Sequence, residues 1–205
     1  MRRISHTGRQ IRDLIDMINA SAERTEVFAE ACENLEKAVG FSGAVLIPHE
    51  PTNAGSPLQT GHLLLNESAK DSLAFVEHYA PLDPLFTKWM LNPTNLNKAA
   101  RNTDVVSVMQ LKDSEFFQDF LRKVPCLYIV GGLLAHRGKI LGGFALHRTK
   151  GDRDFSEHDR LIMNCVLPVL ARTLYLLELP PGIVSSDPRE LEATLQALEL
   201  TSREE

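Results

Sequence analysis

The sequence predicts an α/β domain of the α+β kind, a central antiparallel sheet flanked by helices, with the N- and C-terminal helices on one face. Three observations lead there. Leu127 to Ala135 and Ile140 to His147 are apolar runs joined by the short turn His136-Arg137-Gly138-Lys139, the pattern of a hairpin at the centre of a sheet. Two helical patterns precede the first strand-like run. A long capped apolar helix follows the hairpin. With 205 residues and 43% apolar content, the chain can close one sizeable core, burying roughly 70% of the surface that its unfolded form exposes.

Along the chain, Ile11, Leu14, Ile15 and Ile18 recur at helical spacing and predict an amphipathic helix within residues 1–24. Val27, Phe28, Ala31, Leu35 and Ala38 predict a second helix that stops at Gly40. Phe41 to Ile47 reads as a strand ended by Pro48, and His62 to Leu65 can return beside it after a loop rich in Pro, Gly and Asn. From Ser68 the pattern turns helical through Phe75, Val76 and Tyr79, breaks at Pro81 and Pro84, and resumes from Leu85 to Met90. Asn92 to Ser107 is irregular, with room for one short strand. Ser114 to Leu121 is a short helix ended before Pro125.

After the hairpin, Ser156 and Asp159 form a capping-box-like start to a helix running to about Glu178. Leu161, Ile162, Cys165, Val169 and Leu177 share one face, while Met163, Val166, Leu167, Leu170, Leu174 and Tyr175 leave little room for a polar one. A helix apolar nearly all round must be covered on two sides. The sheet covers one; the other is covered either by a second subunit with the first helix, or by N-terminal helix within the monomer. Ile11, Ile15, Ile18, Val166, Leu170 and Leu174 are therefore the candidate dimer contacts of a homodimer. Pro168 removes the bond to the Asn164 carbonyl and predicts a kink. Residues 179–199 read as a linker and a connector helix, with Asp187 as cap, Pro188 at its first position, and Leu191, Leu195 and Leu198 as a narrow stripe.

Composition excludes several functions. The net charge of −5 and the scattered basic residues give no stripe to track a phosphate backbone. No run approaches the ~18 apolar residues of a membrane span, so a cytoplasmic protein with no membrane partner is expected. Cys32, Cys126 and Cys165 are too far apart for a disulfide framework or a C-x-x-C site; they read as inert packing thiols on apolar helix faces and at a strand start. His136 and His147 lack a metal-ligand spacing, and no metal site is expected. With no Ser/His/Asp signature, paired catalytic carboxylates or phosphate-cradling loop, the chain does not read as an enzyme. The residues point to no particular cofactor.

This order of elements resembles a GAF/PAS-like domain. Four segments, Tyr79-Ala80-Pro81-Leu82-Asp83-Pro84-Leu85, Ser114 to Leu121, Leu146-His147-Arg148 with Asp154-Phe155-Ser156-Glu157, and Leu167 to Arg172, resemble the GAF-like sensory domains that precede LuxR-type transcription factors. Leu200-Thr201-Ser202-Arg203-Glu204-Glu205 resembles the opening of the LuxR-type helix-turn-helix domain. The resemblance implies a sensory domain over residues 25–178 and the start of a truncated DNA-binding domain at 200–205. Function would then be ligand sensing and dimerisation, controlling DNA binding through a C-terminal domain missing from this chain. A stand-alone small-molecule-binding or dimerisation scaffold is the alternative, and a GAF-type enzyme using reactive cysteines a further one.

GAF-like domains hold small ligands between the sheet and the irregular middle segment. Here that segment supplies Tyr79, Asp83, Phe86, Trp89, Phe116, Phe117 and Phe120, candidates for an unidentified small-molecule ligand or else ordinary core aromatics. Asp83 resembles the aspartate with which acyl-homoserine lactone receptors bind the ligand amide, although Ser68 to Ala74 carries neither the Trp nor the Tyr those receptors have. Asp83 could equally cap the helix that starts at Pro84. Gly131-Gly132 and Gly142-Gly143, at corresponding places in the hairpin, imply a bulge or the close approach of a helix or ligand.

Overall fold

The computed structural model describes residues 15–16, 23–49 and 61–178. Ile15 is helical and half-buried, whereas Ile11, Ile18 and the segments expected as linker, connector helix and helix-turn-helix start lie outside the described residues.

Helix α1 (Arg24–Ala38) buries the predicted stripe Val27, Phe28, Ala31 and Leu35, joined by Cys32, and ends before Gly40. Strands β1 (Gly43–Pro48) and β2 (Leu63–Leu65) follow. The middle of the chain is a succession of short turns of helix. α2 (Ala69–Ala74), capped by the Ser68 hydroxyl, runs into a π-helical turn at Phe75–Tyr79 and a 3-10 turn at Ala80–Leu82. A second π-helical turn spans Phe86–Met90. Short β3 (Ala100–Arg101), α3 (Asn102–Val105) and α4 (Val108–Asp113) precede a third π-helical turn at Phe116–Leu121. Helix α4 has no apolar stripe long enough to see in the sequence; what makes it is a capping box, Ser107 with Gln110. The hairpin β4 (Tyr128–His136) and β5 (Lys139–Arg148) leads to α5 (Glu157–Leu177).

The five strands form one antiparallel sheet in the order β2-β1-β5-β4-β3. Successive side chains of a strand point to opposite faces, and the two hydrophobic clusters divide accordingly. Ala44, Leu46, Val130, Leu134, Phe144 and Leu146 pack with α1 and α5. Ile129 and Leu133, from the same β4, pack with the short helices of the middle segment. Helices thus cover both faces, which is why β4 is buried along nearly its whole length. The outer edge of β4 is sealed on either side of β3 by two asparagines. Asn97 exchanges bonds with both backbone groups of Ala135, and Asn102 spans Leu127 and Ile129.

The start of α5 is as expected, with the Ser156 hydroxyl accepting from Asp159 N–H and the Asp159 side chain reaching back to Ser156 N–H. The helix continues unbroken through Pro168. Its packing corrects the expected dimer contacts. Val166, Leu170 and Leu174 are 0%, 2% and 3% exposed in the core of this chain, where α1 covers the side that was assigned to a second subunit. The stripe that α5 leaves open is Leu161, Cys165, Pro168 and Arg172. Cys165 is accordingly exposed, not buried as its apolar surroundings in the sequence suggested. By length and composition α5 could cross a membrane, but nine of its residues are packed into the core.

The hairpin glycines have separate jobs. Gly132 lets Leu167 of α5 and the Lys98 carbonyl approach, because a Cβ there would stand 2.9 and 2.5 Å from them. Gly142, with φ 153°, lies at a register shift opposite Leu134 and holds a conformation that L side chains rarely adopt; a Cβ would also collide with the Ile47 carbonyl. Gly143 differs, since its nearest neighbour would be Leu133 at 3.7 Å. Gly142→Ala is expected to destabilise the protein by about 2 kcal/mol or more, and Gly143→Ala by less than about 0.5 kcal/mol. Urea unfolding of the two variants checks this; equal losses would contradict the assignment of the strain to Gly142.

Candidate functional site

A cavity of about 400 Å³ lies between the sheet and the helical middle segment, within the usual ~300–1,000 Å³ of small-molecule sites. Its floor is set by strand alternation. Val45 and Ile47 of β1, Ala145 and Gly143 of β5, and Ile129 and Leu133 of β4 face it. Val45 pairs with Ala145, and Ile47 and Leu133 both pair with Gly143. The centre of the floor is therefore built from a glycine and an alanine between larger residues, and the space above them is the cavity.

The opposite wall is aromatic. Phe75, Phe86, Phe116 and Phe120 line it. Phe116 stacks on Phe120 at 5.7 Å, Phe75 meets Phe116 at 6.3 Å, and Tyr79 backs Phe120 from outside at 4.7 Å. Four of these rings, Phe75, Tyr79, Phe116 and Phe120, form one mutually supporting cluster, two of them from the first π-helical turn and two from the third.

Polar groups gather at one end. Asp83 closes the 3-10 turn after Tyr79 and is 5% exposed. Leu85 N–H donates to its Oδ1 at 2.8 Å, so the capping arrangement expected of Asp-Pro is present, and Asp83 also lies among the residues lining the cavity. The two readings of Asp83 are compatible. Burial raises its pKa from 3.8 to about 6, against the opposing pull of the Leu85 and Phe86 amides and of His147. His147, which alternation places on the cavity face two residues after Ala145, lies with Nδ1 2.6 Å from Glu67 Oε1. Glu67 reaches it across Gly43, the residue paired with His147 in the register, where any Cβ would displace the glutamate side chain. Cys126 also lines the cavity; burial, with Glu67 and Asp83 nearby, pushes its thiol far up. Burial likewise raises Cys32 to about 12.

Of the seven candidate ligand residues, Asp83, Phe86, Phe116 and Phe120 line the cavity together. Tyr79 stands behind Phe120. Phe117 is half-buried in the surrounding cluster, and Trp89 turns away, its Nε1–H donating to the Lys98 carbonyl at 3.3 Å. The sequence reading missed Phe75, Glu67 and, as a cavity residue, His147. Strand alternation from the core residue Leu146 signals His147, and helical spacing from Tyr79 signals Phe75; nothing in the sequence marks Glu67. Among the described residues no group of three potential ligands is placed to hold a metal ion.

Because the folded-state pKa of Asp83 is raised, its ionisation opposes folding. The cost, about 3 kcal/mol in order of magnitude, is fully present above pH of about 6 and absent below its unfolded value near 3.8. Asp83→Asn keeps an oxygen for Leu85 N–H, and is expected to raise stability at pH 7.5 by about 1–3 kcal/mol. The gain should shrink as pH falls from about 6 to about 4. Urea unfolding across that range decides it; a difference independent of pH would contradict the burial account.

The sequence matches no family model and no curated protein. Among solved structures the fold is similar to SdiA in complex with octanoyl-rac-glycerol, at 16% identity and a TM-score of 0.58 over 100% of this chain and 80% of that one. It is similar to the GAF domain of a phosphoenolpyruvate-protein phosphotransferase from Coxiella burnetii, at 12% identity and 0.52 over 85% and 96%. The N-acylhomoserine lactone dependent LuxR family transcription factor CepR2 from Burkholderia cenocepacia gives 15% and 0.50 over 85% and 96%. The chain spans 63% of the length of the R. palustris bacteriophytochrome chromophore-binding domain, which it matches at 12% identity and 0.56 over 87% of its own length. A five-stranded antiparallel sheet flanked by helices, shared with GAF domains and with regulator domains, is thus the fold of this chain.

Proposed function

We propose that this chain is the ligand-sensing, dimerising regulatory domain of a LuxR-type transcription factor that acts in the cytoplasm, and that it is not an enzyme. The observation that carries the reading is the cavity: an apolar space walled on one side by aromatic rings, with Asp83, Glu67 and His147 among its few polar groups. Its placement between the sheet and the middle segment is where the sequence resemblance expects a ligand, and a solved neighbour of the same fold holds octanoyl-rac-glycerol. The raised thiols of Cys32 and Cys126 favour packing roles over reactivity. The DNA connection is supported by Leu200 to Glu205, whose likeness to the opening of a helix-turn-helix domain implies a recognition helix beyond it. A homodimer partner would have to meet this domain elsewhere than at Val166, Leu170 and Leu174, which are core.

A ligand that binds only the folded state raises the melting temperature by mass action. A thermal-shift screen of cellular metabolites is expected to give hits that are lost in Gly143→Leu, a variant that fills the cavity from an unstrained floor position. Hits that persist in Gly143→Leu, or a flat screen, would count against the cavity as the sensing site. Light scattering that returns a monomer at micromolar concentration would remove dimerisation from the reading.

A further inference from the structure

The polar end of the cavity is made of hydrogen-bond acceptors with too little positive charge. Glu67 and Asp83 bring two carboxylates to its wall beside the imidazole of His147, Asp71 also lines the cavity, His49 lies at the far end of β1, and among the described residues that line it there is no lysine or arginine. Asp83 and Glu67 share one neighbourhood, since His147 lies 2.6 Å from Glu67 and also acts on Asp83, and Cys126 feels both carboxylates. The Asp83 carboxylate is nearly sealed from water and receives the Leu85 N–H on Oδ1 together with the Phe86 amide. Glu67 uses Oε1 on the His147 ring N–H. A carboxylate taken out of water without a cation beside it is a costly group, and an ion of opposite sign entering the same space relieves that cost.

We propose that the cavity takes a cationic amphiphile: a compact apolar, preferably aromatic, body seated between Gly143, Ala145 and the phenylalanine rings, and a protonated amine directed at Asp83 and Glu67. This rests on the reading of the cavity as a ligand site. An ammonium group supplies three N–H donors, matching an end where acceptors predominate, and its charge compensates the carboxylates. A neutral alcohol satisfies a hydrogen bond but leaves the charge. A carboxylate or phosphate meets like charge with no basic side chain to receive it. The order of preference is therefore amine, then alcohol, then carboxylate, for one and the same apolar body.

Isothermal titration of the 205-residue chain at pH 7.5 with phenylbutylamine, phenylbutanol and phenylbutyrate tests this order. The amine is expected to bind about tenfold or more tighter than the alcohol, and the carboxylate to give no measurable heat. In Asp83→Asn the advantage of the amine should fall to about twofold with the alcohol little changed. Glu67→Gln should reduce the same advantage and serves as a second arm should Asp83→Asn fail to fold. An alcohol or carboxylate that binds as tightly as the amine overturns the proposed ligand class while leaving the cavity a binding site. An amine advantage that survives both variants overturns the assignment to these carboxylates. Binding by none of the three overturns both the class and the reading of the cavity as a ligand site.

Discussion

The constraint on which the rest of the structure depends is that the central sheet is buried on both faces while its side chains alternate between them. One face is filled with Leu46, Val130, Leu134, Phe144 and Leu146 against α1 and α5. On the other, the same strands present Gly143 and Ala145 between larger neighbours. A full core and a hollow one are thus made by the same strands, β1, β4 and β5. The register decides which residues fall where, and Gly142, in a backbone conformation that suits glycine, sits at the shift that sets the hairpin register. A slip of one residue would exchange the two faces.

The hollow face asks for a particular kind of lid. The middle segment is not one continuous helix but a chain of short turns, three of them π-helical, broken at Pro81 and Pro84. π-helical turns are rare and usually appear singly. Here they set Phe75, Phe86, Phe116 and Phe120 over the cavity without filling it. Asp83 stands at the break and has two jobs at once. It supplies the cap for the following turn and delivers a buried carboxylate to the cavity end where Glu67 and His147 meet. Burial of its charge is a local cost to stability that the surrounding core must offset.

Most of the fold was legible in the sequence because it is written in local chemistry. The hairpin turn Arg137-Gly138 has both residues at positive φ, as such a two-residue turn requires, and the Ser156-Asp159 box starts α5 where the pattern placed it. The short strand within the irregular middle segment is β3. Helix α4 was missed because its identity lies in the Ser107-Gln110 box rather than in periodicity. The all-round apolar character of α5 showed that two covers are needed but not which; α1 supplies the second. Part of the site was legible for a similar reason, since Asp83 and three phenylalanines sit in a recognisable segment. Glu67 and His147 come together over a distance of 80 positions across Gly43, a contact that only the register creates. Tyr79, Trp89 and Phe117 stand off the cavity wall, and the sequence could not show this because it groups the segment's aromatics without saying which side each ring takes.

The central claim is that a small molecule enters between the small-residue floor and the aromatic wall. Methyl-resolved NMR during titration with phenylbutylamine tests it most directly, because alternation along β4 provides an internal control. The account expects shifts at Ile129 and Leu133, which face the cavity, with Val130 and Leu134, which face the packed core, left nearly unmoved. Shifts confined to Val130 and Leu134, or none at either pair at a saturating concentration, would contradict it.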